Sequence, residues 1–351
     1  MVHYHIRRGN VSRFSFLVSC FLFGRELSQR GHTIGGYLVK PAEGSSEACD
    51  LCGISAVRRL YTAADRLKNS DIEFWIGECS GCGVLRTLPA MAEGELAAFY
   101  PDDYWGVENE PTQQWINSSQ ADKLQFLNAC KLSSGRVLDV GCGSGFFLRA
   151  LDSARWDRFG VEISQGAAEA ARQAIGGDRI FTGTLNESAY EKSAFDVVTL
   201  WSALEHTNQP RATLAEARRI LKPGGSLIVQ LPNADSYQLR LFEGRWFALD
   251  VPRHRYHFTP AKLESLLSGA GFSPYHRTFF SKAHNAHALR QSLKARLWPK
   301  RSTRTLFYLS LPLIKPVDLL MSALGRGATL TIAARAANRD LLSSRTKNPI
   351  S

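Results

Sequence analysis

The stretch Val137-Leu138-Asp139-Val140-Gly141-Cys142-Gly143-Ser144-Gly145 constrains this chain more than any other. Its apolar half reads as a buried parallel strand, and the run from Phe146 to Ala154 reads as a helix. Between them stand three glycines at alternate positions. Glycine accepts backbone conformations closed to other residues and lets a ligand lie against the main chain. The helix behind the loop opens with free N–H groups. Strand, glycine loop and helix in that order predict an α/β sheet with a small-molecule pocket at the strand's carboxyl end.

The spacing narrows the ligand. A dinucleotide loop needs G-x-G-x-x-G, and here Phe146 stands where the third glycine belongs, leaving G-x-G-x-G. No Lys followed by Ser or Thr closes the loop, which excludes a P-loop. A second strand, Arg158 to Ile163, carries Glu162 near its end, where a carboxylate can accept both hydroxyls of a ribose. Phe195 to Leu200 reads as a buried strand. Leu221-Lys222-Pro223-Gly224-Gly225 reads as a turn into a strand from Ser226 to Leu231.

With these pieces in order, the chain resembles the class I S-adenosylmethionine-dependent methyltransferases over roughly residues 115 to 338. The matching parts are VLDVGCGSG, Glu162, FDVV followed by Trp201-Ser202-Ala203-Leu204-Glu205-His206, and LKPGG. The resemblance implies a Rossmann-like, mostly parallel seven-stranded sheet and S-adenosylmethionine as cofactor. It places the cofactor against Asp139, Gly141, Gly143, Gly145, Glu162, Ile163, Thr184 and Trp201. Thr184 departs from the family, where many members carry an acid that bonds the adenine amino group; a threonine hydroxyl can still hydrogen-bond there. Trp201 and Leu204 are candidates to pack on the adenine, with ordinary core packing as the competing role.

Four of the seven cysteines form two C-x-x-C pairs, Cys49/Cys52 and Cys79/Cys82, each followed directly by glycine, Gly53 and Gly83. Two such pairs close a tetrahedral Cys₄ metal site. The 26 intervening residues include the alternating run Ile72 to Ile76, a predicted strand. The pattern looks like a zinc ribbon, with structural zinc expected and iron as the alternative. A closed Cys₄ site offers no open coordination position, so catalysis is not expected there. Disulfides are not expected beside a cofactor made in the cytoplasm. Cys20, Cys130 and Cys142 read as free thiols. CDLCG…CSGCG, followed by Leu96 to Tyr104, resembles a bacterial group with a zinc module ahead of the methyltransferase, often associated with cell-envelope sugar or lipid pathways.

A net charge of +11 suggests an anionic partner, a phosphorylated substrate, nucleic acid or a membrane surface, with an inert basic surface as the plain alternative. No apolar run approaches the twenty or so residues of a membrane span. Arg7, Arg8 and the run Phe14 to Phe23 imitate a signal peptide, but no small-x-small cleavage site follows. Residues 1–44 are expected to be a poorly ordered extension, 45–110 the ribbon module, 111–338 the methyltransferase domain and 339–351 a tail.

The acceptor side follows the fifth strand. Arg253-His254-Arg255-Tyr256-His257-Phe258-Thr259-Pro260 is dense in basic and aromatic residues, and Thr259-Pro260 reads as an N-cap and first helical residue of a helix ended by Gly271. Histidine suits proton removal near neutral pH. His206 and His254 are the candidate catalytic bases, in that order, with His257 expected to be structural. Any of the three can instead hold the loop through backbone carbonyls. Ser273 to Phe280 and Ala328 to Ala334 read as a closing antiparallel hairpin, interrupted by an insertion over about 284–326. The insertion carries Lys294, Arg296, Lys300, Arg301 and Arg304 beside the apolar runs Leu306 to Ile314 and Val317 to Leu324. Such a pair suits a membrane interface, a lid or a dimer contact.

The expected function is methyl transfer to oxygen or carbon of a small-molecule or lipid-linked acceptor, in a cytoplasmic enzyme with peripheral membrane contact as an option. An RNA methyltransferase using the ribbon is the first alternative. No Asn/Asp-Pro-Pro-Tyr/Phe motif follows the fourth strand and no Pro-Cys nucleophile is present, which weighs against it. A non-catalytic S-adenosylmethionine-binding regulatory protein is the second.

Overall fold

A computed structural model describes residues 48–66, 73–91, 95–96, 99–100, 110–297 and 315–337. The expected extension 1–44, the tail 339–351, Cys20, Tyr104 and the basic-apolar stretch 298–314 lie outside them.

Strands β4 (Gly135–Val140), β5 (Trp156–Glu162), β6 (Ile180–Thr182), β7 (Phe195–Trp201), β8 (Leu221–Pro232), β10 (Phe272–Thr278) and β11 (Thr329–Ala336) form a seven-stranded sheet in the order β10-β11-β8-β7-β4-β5-β6. The five strands β4 to β8 run parallel, and β11 lies antiparallel between β8 and β10. This is the expected mostly parallel methyltransferase sheet with its closing hairpin. Both faces are covered, so the central strands are mainly apolar on both sides. Val137 and Val197 face one core cluster and Leu138 and Val198 the other, all within 1% exposure.

Chain order reverses beside β4, which has β5 on one flank and β7 on the other. Loops leaving the carboxyl ends of β4 and β7 therefore diverge and open a crevice, the usual ligand position in open α/β sheets.

Two expected boundaries move. Helix α2 (Phe146–Ala150) stops short of Ala154. Leu151 turns extended, and the Asp152 carboxylate accepts the Ala154 amide at 3.0 Å, a local turn that competes with the helix. The Leu221–Gly225 segment is part of β8 rather than a turn before it, and the β7–β8 register slips between Phe195 and Val197 to accommodate it.

The cysteine module is a second sheet. Strands β1 (Val57–Ala64), β2 (Glu73–Cys79) and β3 (Leu85–Leu88) run antiparallel, and its fourth strand is β9 (Tyr256–His257), supplied by the loop after β8. The ribbon thus extends beyond the expected 45–110 segment. Among the described residues it has no core of its own. Phe74, Ile76 and Leu85 cluster with Leu239, Phe242, Trp246, Leu249 and Val251, while Cys49, Cys79 and Val84 join the core of the seven-stranded sheet. Gly244 records how close the layers are: a Cβ there would lie 1.7 Å from the Thr62 carbonyl oxygen of β1.

Within the expected insertion, helix α7 (Lys282–Leu297) packs on α1 (Glu110–Ala129). The Asp122 carboxylate of α1 accepts the Ser281 hydroxyl at 2.8 Å and the Ala283 amide at 3.2 Å, holding the start of α7. His284 and His287 pack on Trp115, with ring centroids 5.1 and 5.9 Å away. The helical start of the insertion, up to Leu297, is therefore part of the domain's packing. Residues 315–323 are also helical.

Candidate active site

The β4 loop holds its glycines in the left-handed region, with φ of 71° at Gly141, 53° at Gly143 and 75° at Gly145. This conformation explains the alternate spacing, because a side chain at any of the three would be strained. Gly141 is also a close approach: a Cβ there would lie 3.0 Å from Ala203 Cβ in the loop after β7. Gly143 faces open space, with nothing within 4 Å of an added Cβ.

Glu162, at the end of β5, is 1% exposed. Its Oε2 accepts the Gly143 amide at 2.8 Å and its Oε1 the Ser164 amide at 2.9 Å. Burial raises its pKa, against the pull of the Ser164, Gly143 and Ile163 amides. An ionised carboxylate offers about four lone-pair positions. Backbone amides take up part of this capacity, and the rest is available to a ribose hydroxyl. The next residue, Ile163, is a large apolar side chain left 56% exposed at the crevice edge, an available platform for a flat ring.

Asp139 is buried and opposite Thr199 in the β4–β7 register, and the Thr199 hydroxyl donates to its Oδ1 at 2.7 Å. Burial pushes Asp139 up to about 6, opposed by the Lys123 ammonium and the Thr199 hydroxyl. Lys123 of α1 is itself pushed down to about 8 by burial, and its ammonium lies 5.6 and 5.5 Å from the ring centroids of Phe147 and Trp201. Lys123 and Thr199 escaped the sequence reading. Lys123 sits on an unremarkable polar helix, and only the register pairs Thr199 with Asp139.

Trp201 is buried, with Phe147 and Phe126 edge-on at 5.4 and 6.4 Å, so much of its ring is in the core. Its indole nitrogen is buried and has no hydrogen-bond partner. Thr184 caps a short turn, Leu185–Glu187: its hydroxyl donates to Glu187 Oε2 at 2.8 Å and its amide to the same oxygen at 2.7 Å. With its proton committed, the Thr184 oxygen presents lone pairs, the acceptor role an adenine amine requires.

The acceptor-side residues converge from two segments. The turn Leu204–His206 follows β7, and residues 247–257 lie against it through Arg255 N–H donating to Glu205 O at 2.8 Å. The His206 and His254 rings meet edge to face at 4.6 Å. His254 Nδ1 lies 3.0 Å from the Ala248 carbonyl, which can only accept, so Nδ1 carries the proton and Nε2 the lone pair. That Nε2 is 4.0 Å from Glu205 Oε1 and 3.9 Å from Asp250 Oδ2. His206 Nδ1 is 3.3 Å from the Tyr100 hydroxyl, and the ring also bonds the Arg253 carbonyl. Burial drives His206 down to about 3 and His254 to about 4, and it pushes Glu205 up to about 8.

His257 belongs to the ribbon contact. The Thr87 hydroxyl donates to the His254 carbonyl at 2.5 Å, so at 3.0 Å its oxygen accepts from His257 Nε2–H. Thr87 thus ties the His257 ring to β3. Arg253, fully buried, bonds Asp65 and Asp250 at 2.7 Å each and the Phe99 carbonyl at 2.6 Å.

In the ribbon, the two C-x-x-C pairs fold alike. Gly53 and Gly83, at φ of 76° and 70°, return their amides to the Cys49 and Cys79 carbonyls at 2.7 and 2.8 Å. Cys49 and Cys82 sulfurs are 3.8 Å apart, Cys52 and Cys79 sulfurs 3.5 Å apart, and all four lie within 4.8 Å of one another. A tetrahedral ion with metal–sulfur bonds of about 2.3 Å sets sulfur–sulfur edges near ~3.8 Å, so the thiols fit such an ion. Cys130 and Cys142 are free thiols, as expected.

A methyltransferase-domain family model matches residues 113–277. A ubiquinone biosynthesis O-methyltransferase of Methylococcus capsulatus is 30% identical over 177 residues, spanning 47% of this chain and 73% of that protein. The chain belongs to the class I S-adenosylmethionine-dependent methyltransferases. A protein of the same name from Thiobacillus denitrificans is 29% identical, over 45% of this chain and 76% of its own length. A solved S-adenosylmethionine-dependent methyltransferase of Thermotoga maritima aligns with a TM-score of 0.43 and 22% identity, covering 64% of this chain and 92% of its own. As a methyltransferase, the protein takes its methyl group from S-adenosylmethionine, and the open Gly143 face, the spare Glu162 lone pairs and exposed Ile163 suit that cofactor.

Glu162→Ala removes the carboxylate expected to accept the ribose hydroxyls and frees two loop amides together. It should weaken S-adenosylhomocysteine binding by about tenfold or more, the equivalent of roughly 1.5–3 kcal/mol for hydrogen bonds to a charged group. Titration calorimetry on the folded variant measures this, and wild-type affinity in the variant would refute the assignment.

Proposed function

We propose that this methyltransferase methylates a hydroxyl oxygen of a small-molecule acceptor. The observation that carries the reading is the convergence of Glu205, His206 and His254 at the carboxyl end of β7, next to the glycine loop. S-adenosylmethionine supplies an electrophilic sulfonium methyl. The chain's part is to align an acceptor with it and to assist loss of the hydroxyl proton. Asp139, Gly141, Gly143, Gly145, Glu162, Ile163, Thr184 and Trp201 form the cofactor side of this reading. His206 and His254 serve the acceptor. The O-methyltransferase names of the relatives favour oxygen over carbon. Those names carry neither a cell-envelope substrate nor RNA, so neither expectation enters the proposal. Replacing His206 or His254 by Gln should lower kcat on a hydroxylated acceptor by about 10²–10⁴-fold with cofactor affinity near wild type. If both variants turn over within about threefold of wild type, the cluster does not serve the acceptor.

The ribbon thiolates are proposed to hold one structural zinc. Support comes from the matched knuckles and the sulfur separations. Because β9 completes this sheet and Thr87 ties it to His254, loss of zinc should reach the acceptor side. Cys79→Ser should remove the thiolate-bound zinc found by elemental analysis and reduce turnover more than S-adenosylhomocysteine binding. Wild-type turnover in a zinc-free variant would sever the proposed link.

The same chain is proposed to touch anionic membranes peripherally. Val317, Leu319, Leu320 and Leu324 are 45–62% exposed, while Asp318 and Ser322 point inward. Among the described residues no helix is long and apolar enough to cross a membrane. Flotation should show salt-sensitive binding to anionic vesicles, lost in Leu320→Ser/Leu324→Ser. Equal behaviour on neutral and anionic vesicles would dismiss the contact.

A further inference from the structure

Glu205 poses a problem that the methyl-transfer reading does not solve. Its side chain is 1% exposed, and among the described residues no other residue donates a hydrogen bond to either carboxylate oxygen. A buried carboxylate without donors is costly, and such groups are normally paired or bound to a cation. The groups it faces are imidazoles: one ligand atom each from Glu205, His206 and His254 lie within 4.8 Å of one another.

His254 has the support usual for a metal-bound histidine, with Nδ1–H held by a backbone carbonyl and Nε2 turned toward the carboxylate. Asp250 Oδ2 stands behind at 3.9 Å as a neighbouring negative charge.

We propose that Glu205, His206 and His254 hold a divalent cation of the zinc or iron(II) class, with its remaining positions open to the acceptor's hydroxyl oxygen. Two imidazoles and one carboxylate are a donor set of those ions, whereas magnesium and calcium favour oxygen ligands throughout. Bonds of about 2.1 Å would require the ligand atoms to draw together by about 1 Å from their present spacing. The inference rests on reading this cluster as the acceptor site. The cation makes the bound hydroxyl more acidic. The O–H bond breaks, the proton passes to water, and an oxygen lone pair bonds the methyl carbon as the carbon–sulfur bond gives its electron pair to sulfur. His206 and His254 then serve the acceptor as ligands rather than as free bases.

Full-length protein, depleted of metal and titrated with cobalt(II) alone, tests this. The wild type should bind two equivalents. One gives intense near-ultraviolet thiolate charge transfer from the ribbon, and the other gives only the weak visible bands of nitrogen and oxygen ligands. Glu205→Gln and His254→Ala should each lose the second equivalent. Both should keep the thiolate bands and bind S-adenosylhomocysteine as wild type does, which verifies the fold. A wild type that binds only the thiolate equivalent overturns the proposal whatever the variants do, as does a second equivalent that persists in folded His254→Ala. Turnover of a hydroxylated acceptor without the second ion would sink the cation and leave O-methylation standing. A bound second ion with no hydroxylated acceptor turned over would do the reverse.

Discussion

Burial of the Arg253 guanidinium is the interaction on which the acceptor half depends. A charged group taken wholly out of water is tolerated only when its donors are met, and removing one partner of such a pair typically costs about 3–5 kcal/mol. Arg253 meets that condition by drawing in three separate parts of the chain: Asp65 next to ribbon strand β1, the Phe99 carbonyl, and Asp250 in its own loop. The residue that follows it is His254. The position of the imidazole is therefore set by a buried ionic contact whose partners lie 188 residues apart.

This arrangement gives the ribbon a role that nucleic-acid recognition does not explain. Its third strand pairs with β9, its Thr87 holds the carbonyl of His254 and the ring of His257, and its apolar side chains share a core with the segment around Trp246. The ribbon acts as a buttress for the acceptor loop. Histidines held this way lose little entropy when an acceptor arrives, which is how a rigid support contributes to positioning. A loop so rich in basic and aromatic residues would otherwise be a poor candidate for fixed geometry.

The geometry of the glycine loop was legible in the sequence because it is local. Three left-handed glycines must be glycines, and a carboxylate one strand further on stands beside them by the regularity of the βα repeat. The two C-x-x-C-G knuckles were legible for the same reason. The acceptor half was legible only as residue types. His206 and His254 could be named, but not the tautomer that the Ala248 carbonyl imposes on His254, nor the lack, among the described residues, of a donor from another residue to the Glu205 carboxylate. Those depend on contacts between segments far apart in sequence. Strand β9 was invisible because two residues carry no periodicity, and the ribbon boundary was misplaced with it. Lys123 left no signal, since a lysine on a polar helix is ordinarily solvated and only the Phe147 and Trp201 rings make this one different.

The two halves are prepared to different degrees. On the cofactor side the charges are already met: Glu162 by two backbone amides, and Asp139 by Thr199 with Lys123 nearby. On the acceptor side burial pushes Glu205, His206 and His254 toward their neutral forms. Burial raises Glu162 and Asp139 as well, but hydrogen bonds from other residues offset part of it there, whereas among the described residues no other residue donates to the Glu205 carboxylate. The two loops come closest where Gly141 faces Ala203, at a spacing that would leave an added Cβ only 3.0 Å from the Ala203 Cβ. Ala203 immediately precedes the turn that carries Glu205 and His206. Gly141 thus does two things at once. It gives the glycine loop its left-handed turn, and it lets the loop that carries Glu205 and His206 approach closely.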